Sequence, residues 1–303
     1  MMAETGRVQA VPQRVLMASE PTPRRAPLVL QMLRRDRTAA AALIVVLAIV
    51  LMALLAPVLG LDSPTKTNFG DRLLAPLSPD HVLGTDQLGR DVLSRLVWGA
   101  RVSLLIGVLA AVIASTIGSL VGLLAGYFGG GADSVIMRLI DIMLAFPYIL
   151  LAIALVAALG PGLVNAMIAI AVANVAFYAR NIRGIVLGLR HQAYIEAAQA
   201  AGASHGRILA RHILPNTVAP ILVLVSMNIG WMITETAGLS FLGLGAQPPT
   251  ADWGSMLADG RQFITVKYHL ATIPGIMILI LVLALNVLGD SLRDALDPRL
   301  RNR

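Results

Sequence analysis

The chain has 303 residues, of which 57% are hydrophobic and 14% are charged, and its formal net charge is +7. A water-soluble domain of this length cannot bury so much apolar surface, and large exposed apolar patches drive association. Disordered, collagen-like and disulfide-stapled classes are also excluded, because the mean hydropathy is +0.76, glycine shows no three-residue period and cysteine is absent. We therefore predict an all-α integral membrane protein.

The N-terminal region predicts a cytoplasmic tail, residues 1–37, which is rich in arginine and has no apolar core. A helix needs about 20 apolar residues to cross the hydrocarbon, and the first such run lies at 39–60. This run is too long and too far from the N-terminus for a cleaved signal peptide. We expect residues 38–100 to comprise the first transmembrane helix and an extracytoplasmic segment.

Residues 84–95 read GTDQLGRDVLSR and predict an amphipathic helix at the outer surface, leading into the second span. Two pairs of opposite charges, Asp86 with Arg90 and Asp91 with Arg95, have the four-residue spacing that brings side chains together on a helix.

The second span, 102–126, carries small residues at every fourth position. Such a stripe lets two helix backbones approach closely. We predict that it packs against another helix of this chain or of a partner chain; the alternative is a face that lines the path of the substrate. The stripe consists of Ala110, Ala114, Gly118, Gly122 and Gly126.

The third and fourth spans are predicted at 136–158 and 163–182. They lie in one long uncharged run that is broken by Gly160-Pro161-Gly162. Because this tripeptide is a strong turn signal, we expect two helices joined by a very tight loop.

The fifth and sixth spans are predicted at 214–236 and 270–290. Between them, glycines and prolines in residues 238–254 should not extend the fifth span, and they predict an irregular or re-entrant segment on the outer side. We expect residues 101–290 to form one transmembrane unit and 291–303 to form a cytoplasmic tail.

The distribution of basic residues predicts that both termini are cytoplasmic, because cytoplasmic loops carry an excess of Lys and Arg. This bias also explains the basic charge without a nucleic-acid partner. Most of the 24 basic residues fall on the predicted inner side, namely Arg7, Arg14, Arg24, Arg25, Arg34, Arg35, Arg37, Arg138, Arg180, Arg183, Arg190, Arg207, Arg211, Arg293, Arg299, Arg301 and Arg303.

The predicted spans lack the residues that membrane chemistry requires. Their centres carry no ionisable side chain, and Asp141 and Glu235 fall near span ends, where we expect them to cap a helix or to face a water-filled cavity. Five scattered histidines predict neither a metal site nor a cofactor. The nucleotide-binding pattern G-x4-G-K-[ST] is absent, so any ATPase must be another chain and this chain is not itself an enzyme.

The cytoplasmic loop between the fourth and fifth spans is patterned. From Glu196 to Asn216 it reads EAAQAAGASHGRILARHILPN. The alanines favour a helix, which Gly202 can end or bend. A short exposed helix of small side chains suits insertion into a groove of a partner; the alternative is an interfacial helix that lies on membrane lipid.

This loop resembles the EAA loop of binding-protein-dependent ABC transporter permeases, although His212 stands where the family prefers isoleucine. In that family the loop forms the coupling helix that docks on the ATPase subunit. The resemblance therefore implies an ATPase-coupling role for Glu196, Ala197, Ala198, Gly202, Leu214 and Pro215.

Three further stretches, 84–95, 238–254 and 288–299, resemble the C-type permease of the dipeptide/oligopeptide/nickel branch. The resemblance implies a type I ABC importer permease fold with six transmembrane helices in a bacterial plasma (inner) membrane. It also implies a heterodimer with a B-type permease subunit, two ABC ATPase subunits and an extracytoplasmic substrate-binding protein.

The expected function is therefore that of a permease subunit of an ATP-driven importer for di- or oligopeptides or related small solutes, which forms half of the translocation pathway. The main alternative is an ion-coupled secondary transporter, and a membrane-embedded enzyme is a second. Both would require ionisable or metal-ligating side chains within the spans, which the sequence does not supply.

Overall fold

A computed structural model describes residues 36–296, so the predictions for most of the N-terminal tail and for the end of the C-terminal tail lie outside the described residues. The described part consists of helices and connecting segments and contains no β-strand. A π-helical turn, Leu209–Ile213, joins the seventh helix to the eighth. The helices are α1 (Arg37–Leu55), α2 (Val92–Phe128), α3 (Gly130–Ala145), α4 (Tyr148–Leu159), α5 (Leu163–Arg190), α6 (Ala193–Ala200), α7 (His205–Ile208), α8 (Leu214–Phe241), α9 (Trp253–Arg261) and α10 (His269–Leu296).

Five helical units are each long and apolar enough to cross a membrane: α1, α2, α5, the continuous α7–α8 unit and α10. The pair α3–α4 meets the same test only when its two helices are taken together, and these are bent by 94°. The predicted span 136–158 is therefore not one straight helix. Pro147 has no N–H for the helical ladder and forces Phe146 into an extended conformation (φ −92°, ψ 141°), which separates α3 from α4.

The tight loop between α4 and α5 is confirmed. α4 ends at Leu159 and α5 begins at Leu163, with Gly160 at φ 90°, in the region that glycine adopts without strain. The side-chain amide of Asn165 donates to the carbonyls of Leu159 and Gly160, both at 3.0 Å, so two helix-end acceptors are satisfied inside the turn.

Two predictions about the segments expected on the outer side are wrong in part. α8 continues through Gly238 to Phe241 before the chain becomes irregular at 242–252, because glycine weakens a helix without ending it when tertiary packing supports it. Residues 84–91 form turns instead of a helix, since Gly89 has φ 71° and a Cβ at this position would lie 1.7 Å from the Asn68 carbonyl oxygen.

The helix packing places α2 and α5 at the centre, and this pair forms the most extensive helix contact of the described chain. α8 packs on both of them and on α10, while α1 lies outside, against α2 and α10. The short α9 lies against α8, α10 and the first turns of α2. α1 leaves Ile44, Leu47, Leu51 and Leu54 exposed, as a helix in contact with lipid does.

Candidate coupling and transport sites

The small-residue stripe of α2 faces α5. A Cβ on Gly118 would lie 2.6 Å from the carbonyl oxygen of Val175, and one on Gly122 would lie 2.3 Å from that of Ala179. A Cβ on Gly126 would lie 2.9 Å from the Cβ of Val186. At all three levels the neighbouring atoms include backbone, so these glycines let the two helix axes approach more closely than any larger residue permits.

Glu235 lies deeper in the molecule than the sequence indicates. Because α8 runs on to Phe241, this side chain is inside the helix, buried, and it accepts a hydrogen bond of 2.9 Å from the Asn174 side chain of α5. Its second carboxyl oxygen and the nearby Tyr178 hydroxyl have no hydrogen-bond partner among the described residues. The expectation that Glu235 lies near a span end is therefore wrong, and the bundle interior contains an ionisable side chain.

On the side predicted to be cytoplasmic, α6 is held to the bundle by one apolar side chain. Ile195 is fully buried, in a cluster with residues of α2, α5 and the α7–α8 unit. Its neighbours Glu196 and Ala197 are exposed, and Ala198 is half-buried. Glu196 and Ala197 are therefore not covered by the rest of the described chain, whereas Ala198 is partly covered.

Gly202 terminates this helical segment. It adopts φ 78°, and its N–H donates to the Gln199 carbonyl at 2.9 Å, while the Ala203 N–H donates to the Ala198 carbonyl at 3.0 Å. A Cβ on Gly202 would meet nothing within 4 Å. The requirement for glycine is thus conformational, since a left-handed residue with a side chain is strained.

Leu214 and Pro215 lie at the start of α8, and both are exposed. Pro215 has no N–H to donate to the preceding turn, and the backbone there is the π-helical turn Leu209–Ile213. The Asn216 side chain donates to the carbonyl of His212 at 2.6 Å and satisfies an acceptor in this widened turn.

Glu196 borders a cavity of about 210 Å³ at the C-terminal ends of α2 and α5. The cavity brings Tyr127 and His205 together, and the Tyr127 hydroxyl lies 2.8 Å from His205 Nδ1. Arg190, at the end of α5, also lines it and donates to the Gly126 carbonyl at 3.2 Å. His205 of α7 and Arg190 of α5 are therefore linked by polar contacts to the end of α2, beside Glu196.

The opposite end of the bundle carries a buried ion cluster that the sequence predicts only in part. Asp86 pairs with Arg90 at 2.6 Å, as its spacing predicts, but also with Arg95 at 2.7 Å. Asp91 does not pair with Arg95: it caps α2 by accepting from the Ser94 N–H at 2.7 Å, and it contacts His81 at 2.9 Å. The predicted Asp91–Arg95 ion pair is wrong because residues 84–91 are not helical.

A second carboxylate completes the cluster from far along the chain. Asp259 of α9 lies 3.4 Å from Arg90 and 3.6 Å from Arg95. Burial raises the pKa of the Asp259 carboxyl above its ordinary value, and the positive charge of Arg90 opposes that rise. α9 itself is anchored by Trp253, whose indole N–H donates to the Leu96 carbonyl at 2.8 Å.

Two acidic side chains of α3 form ion pairs with α5. Asp133 accepts two hydrogen bonds from Arg183, at 2.5 and 2.6 Å, and exposed Asp141 pairs with Arg180. Among residues 36–296, no group of three or more His, Cys, Asp or Glu side chains has the geometry to hold a metal ion.

Comparison with protein families gives two matches. Residues 118–302 match the family described as binding-protein-dependent transport system inner membrane component. Residues 27–76 match the N-terminal TM domain of oligopeptide transport permease C. The first match alone spans more than half of the chain.

Similar proteins carry names from two transport systems. The dipeptide transport system permease protein of Alkalihalophilus pseudofirmus is 47% identical over 270 residues, which cover 89% of this chain and 88% of the relative. The corresponding dipeptide permease of Haemophilus influenzae is 43% identical over 273 residues, 88% of this chain and 92% of the relative. The glutathione transport system permease protein of Escherichia coli O157:H7 is 47% identical over 268 residues, 88% of each chain.

Among solved structures, a chain of the inward-facing MetNI methionine ABC transporter superposes with a TM-score of 0.55 at 20% identity. The superposition covers 67% of this chain and 97% of that chain. A second crystal form of the same transporter gives a TM-score of 0.56, with 68% and 98% covered. The helix arrangement is therefore that of a type I ABC importer permease.

Proposed function

The chain belongs to the family of binding-protein-dependent transport system inner membrane components and is a multi-pass permease component of an ABC importer, and on this premise we propose that it carries di- or oligopeptides or related small solutes inward. The names of its relatives, which include dipeptide and glutathione permeases, support this substrate class. The chain would form half of the pathway, and a B-type permease would form the other half.

In the proposed mechanism, two ABC ATPase subunits supply the free energy and α6 receives their movement. One observation carries this assignment: α6 exposes Glu196 and Ala197 while a single side chain, Ile195, holds it to the bundle. A helix covered on one face and bare on the other fits a groove of a partner. Gly202 fixes the end of α6, and Leu214 and Pro215 begin α8 within the continuous α7–α8 unit, so α6 can move as one short element beside that unit.

The orientation belongs to the same proposal. Arg180, Arg183 and Arg190 all lie in the last turns of α5, at the end of the bundle that also carries α6. The excess of basic residues on cytoplasmic segments supports an orientation in which α6 and both termini lie inside the cell and α9 and the 84–91 turn lie outside. An extracytoplasmic substrate-binding protein would deliver the solute to this outer face. The bilayer is that of the bacterial plasma (inner) membrane.

The test uses the full transporter in proteoliposomes, with the change Glu196→Arg in this chain. We expect the variant chain to insert and to associate with the second permease, but ATP-dependent peptide uptake should fall at least tenfold, because the positive charge faces the ATPase groove. Uptake of labelled dialanine and ATP hydrolysis are measured together. The matched control is Asp294→Arg, which makes the same charge change at an exposed position near the end of α10.

Wild-type uptake by the Glu196→Arg transporter would show that α6 is not the coupling element. Uptake that is independent of ATP but abolished by a proton ionophore would instead contradict the ATP-driven mechanism, and would favour ion-coupled secondary transport.

A further inference from the structure

The buried ion cluster borders a cavity that the proposed function does not use. The cavity has a volume of about 350 Å³ and lies between α9, the end of α8 and the 84–91 turn. Three guanidinium groups, those of Arg90, Arg95 and Arg261, line it, against one carboxylate, that of Asp259. Such a volume is large enough for a small ligand or for one side chain of a partner protein.

Asp86 cannot satisfy both buried arginines. One of its carboxyl oxygens accepts from the backbone N–H groups of Leu88 and Arg90, at 2.8 and 3.0 Å. The other accepts from Arg90 Nε at 2.6 Å and from Arg95 Nη1 at 2.7 Å. A carboxylate has about four lone-pair positions, whereas each guanidinium offers five N–H donors. Asp86 is therefore saturated while donors remain.

Asp259 is a weak partner for the remaining donors. Its distances to Arg90 and Arg95, 3.4 and 3.6 Å, are longer than those of a charge-assisted hydrogen bond, and its side chain is 43% exposed. Arg95 Nε is buried and has no acceptor among the described residues. Both arginine side chains are at least nine-tenths buried, so water cannot fully replace the missing acceptor.

From this excess of buried donors, we propose that the cavity binds a carboxylate group that reaches it from the extracytoplasmic side. A carboxylate presents two acceptor oxygens in the geometry that matches a guanidinium fork. Its source is either the transported solute or an acidic side chain of the substrate-binding protein. The assignment of the cavity to the outer face rests on the proposed function.

The first experiment uses the absence of cysteine from the chain. Ala258 lines the cavity, so Ala258→Cys places one thiol in it, and labelling by a membrane-impermeant maleimide is followed in right-side-out vesicles that contain the full transporter. N-acetylglycine is the probe, and N-acetylglycine amide at the same ionic strength is its neutral control. A thiol introduced by Thr65→Cys, at an exposed position of the same outer segment, reports non-specific effects.

We expect N-acetylglycine to slow labelling of the Ala258→Cys thiol at least fivefold more than the amide does, with no difference for the Thr65→Cys thiol. Equal protection by the acid and the amide, or none by either, would overturn the proposal. Labelling only in inverted vesicles, in which the cytoplasmic face is the accessible one, would contradict the orientation in the proposed function, and the acid–amide comparison would still test the cavity.

The second experiment identifies the source of the carboxylate. Ala258→Glu supplies the cavity with a tethered carboxylate, and Ala258→Gln matches it in size without the charge. If the binding protein provides the acidic group, the Glu variant should need at least fivefold more binding protein than the Gln variant for half-maximal ATPase stimulation. If the solute provides the carboxylate, the Glu and Gln variants should need equal amounts of binding protein. Dialanine should then protect the Ala258→Cys thiol in the absence of the binding protein.

Discussion

The two ends of the bundle are built in opposite ways. At the end proposed to be extracytoplasmic, called the outer end below, Arg90 and Arg95 are buried and both donate to buried Asp86, and Asp259 joins them from α9. At the end proposed to be cytoplasmic, called the inner end below, α6 has only Ile195 in the core. We therefore expect the outer end to resist local movement more than α6, which has one residue in the core.

The contrast follows from what each side chain gains by burial. A buried charge is stable only while its partners remain in place, so the outer cluster fixes the relative positions of α2, α9 and the 84–91 turn. A buried isoleucine makes non-directional contacts and tolerates small rotations. We infer that force applied to α6 reaches α2 and α5 through Ile195, and that the outer cluster moves only as a unit.

The largest expected effect comes from breaking the outer cluster. Asp86→Asn leaves two buried guanidinium groups without their main counter-ion, and loss of one partner of a buried ion pair costs about 3–5 kcal/mol. We expect a large fall in the thermal unfolding temperature of the chain in nanodiscs. Asp62→Asn is the control, because the Asp62–Lys66 pair at 3.0 Å is exposed and its loss should be nearly silent. Equal unfolding temperatures for the two variants would contradict a fixed outer end.

The sequence predicts those features that depend on residues close together in the chain. Charge-free runs locate the helices, since crossing the hydrocarbon demands about 20 apolar residues. Gly160-Pro161-Gly162 locates a turn, because glycine and proline in sequence are strong turn signals. The Asp86–Arg90 spacing also indicates a pair. However, a pair of opposite charges four residues apart fits both a helix and a compact turn. The predicted helix is therefore wrong for residues 84–91, although the Asp86–Arg90 pair is present.

The non-local part could not be read from spacing. Asp259 lies 169 residues after Arg90, and only the packing of α9 on α2 brings them together. In the same way, Asn174 and Glu235 are 61 residues apart, and no pattern in either helix pairs them. The bend at Pro147 had a local signal, because proline restricts the residue before it, but the run of apolar residues around it hid that signal.

The inner anchor should be the next most sensitive point. Ile195→Ala removes the single core contact of α6, and truncation of a buried isoleucine costs about 2–5 kcal/mol. We expect faster amide hydrogen exchange confined to α6 and lower coupling of ATP hydrolysis to uptake, with little change in the unfolding temperature of the bundle. The neighbouring exposed residue gives the control, since Tyr194→Ala removes a larger side chain from the surface. Global destabilisation by Ile195→Ala would mean that α6 is not a separate lever.

A smaller effect is expected at the end of α6, where the requirement is for a backbone conformation. Gly202 and Gly206 both have open space around a new Cβ, but only Gly202 has a positive φ, 78°. Gly202→Ala should therefore cost about 1–2 kcal/mol, and Gly206→Ala, in α7, should be neutral or slightly stabilising. Exchange rates of the α6 amides measure the difference. Equal rates in both variants would show that the turn adapts to a side chain.

The smallest predicted effect concerns the polar contact between Tyr127 of α2 and His205 of α7. Tyr127→Phe removes the hydroxyl that lies 2.8 Å from His205 Nδ1, and one hydrogen bond contributes about 0.5–1.5 kcal/mol. The ring is retained, and with it the edge contact of Tyr127 with Phe128 at 5.1 Å, so the core should stay intact. We expect slightly faster hydrogen exchange in α7 and a modest fall in peptide uptake per ATP hydrolysed. Tyr194→Phe is the control at an exposed tyrosine of α6. If His205→Ala changes exchange in α7 equally in the presence and absence of the Tyr127 hydroxyl, the two side chains are not coupled, and Ile195 alone transmits movement between α6 and the bundle.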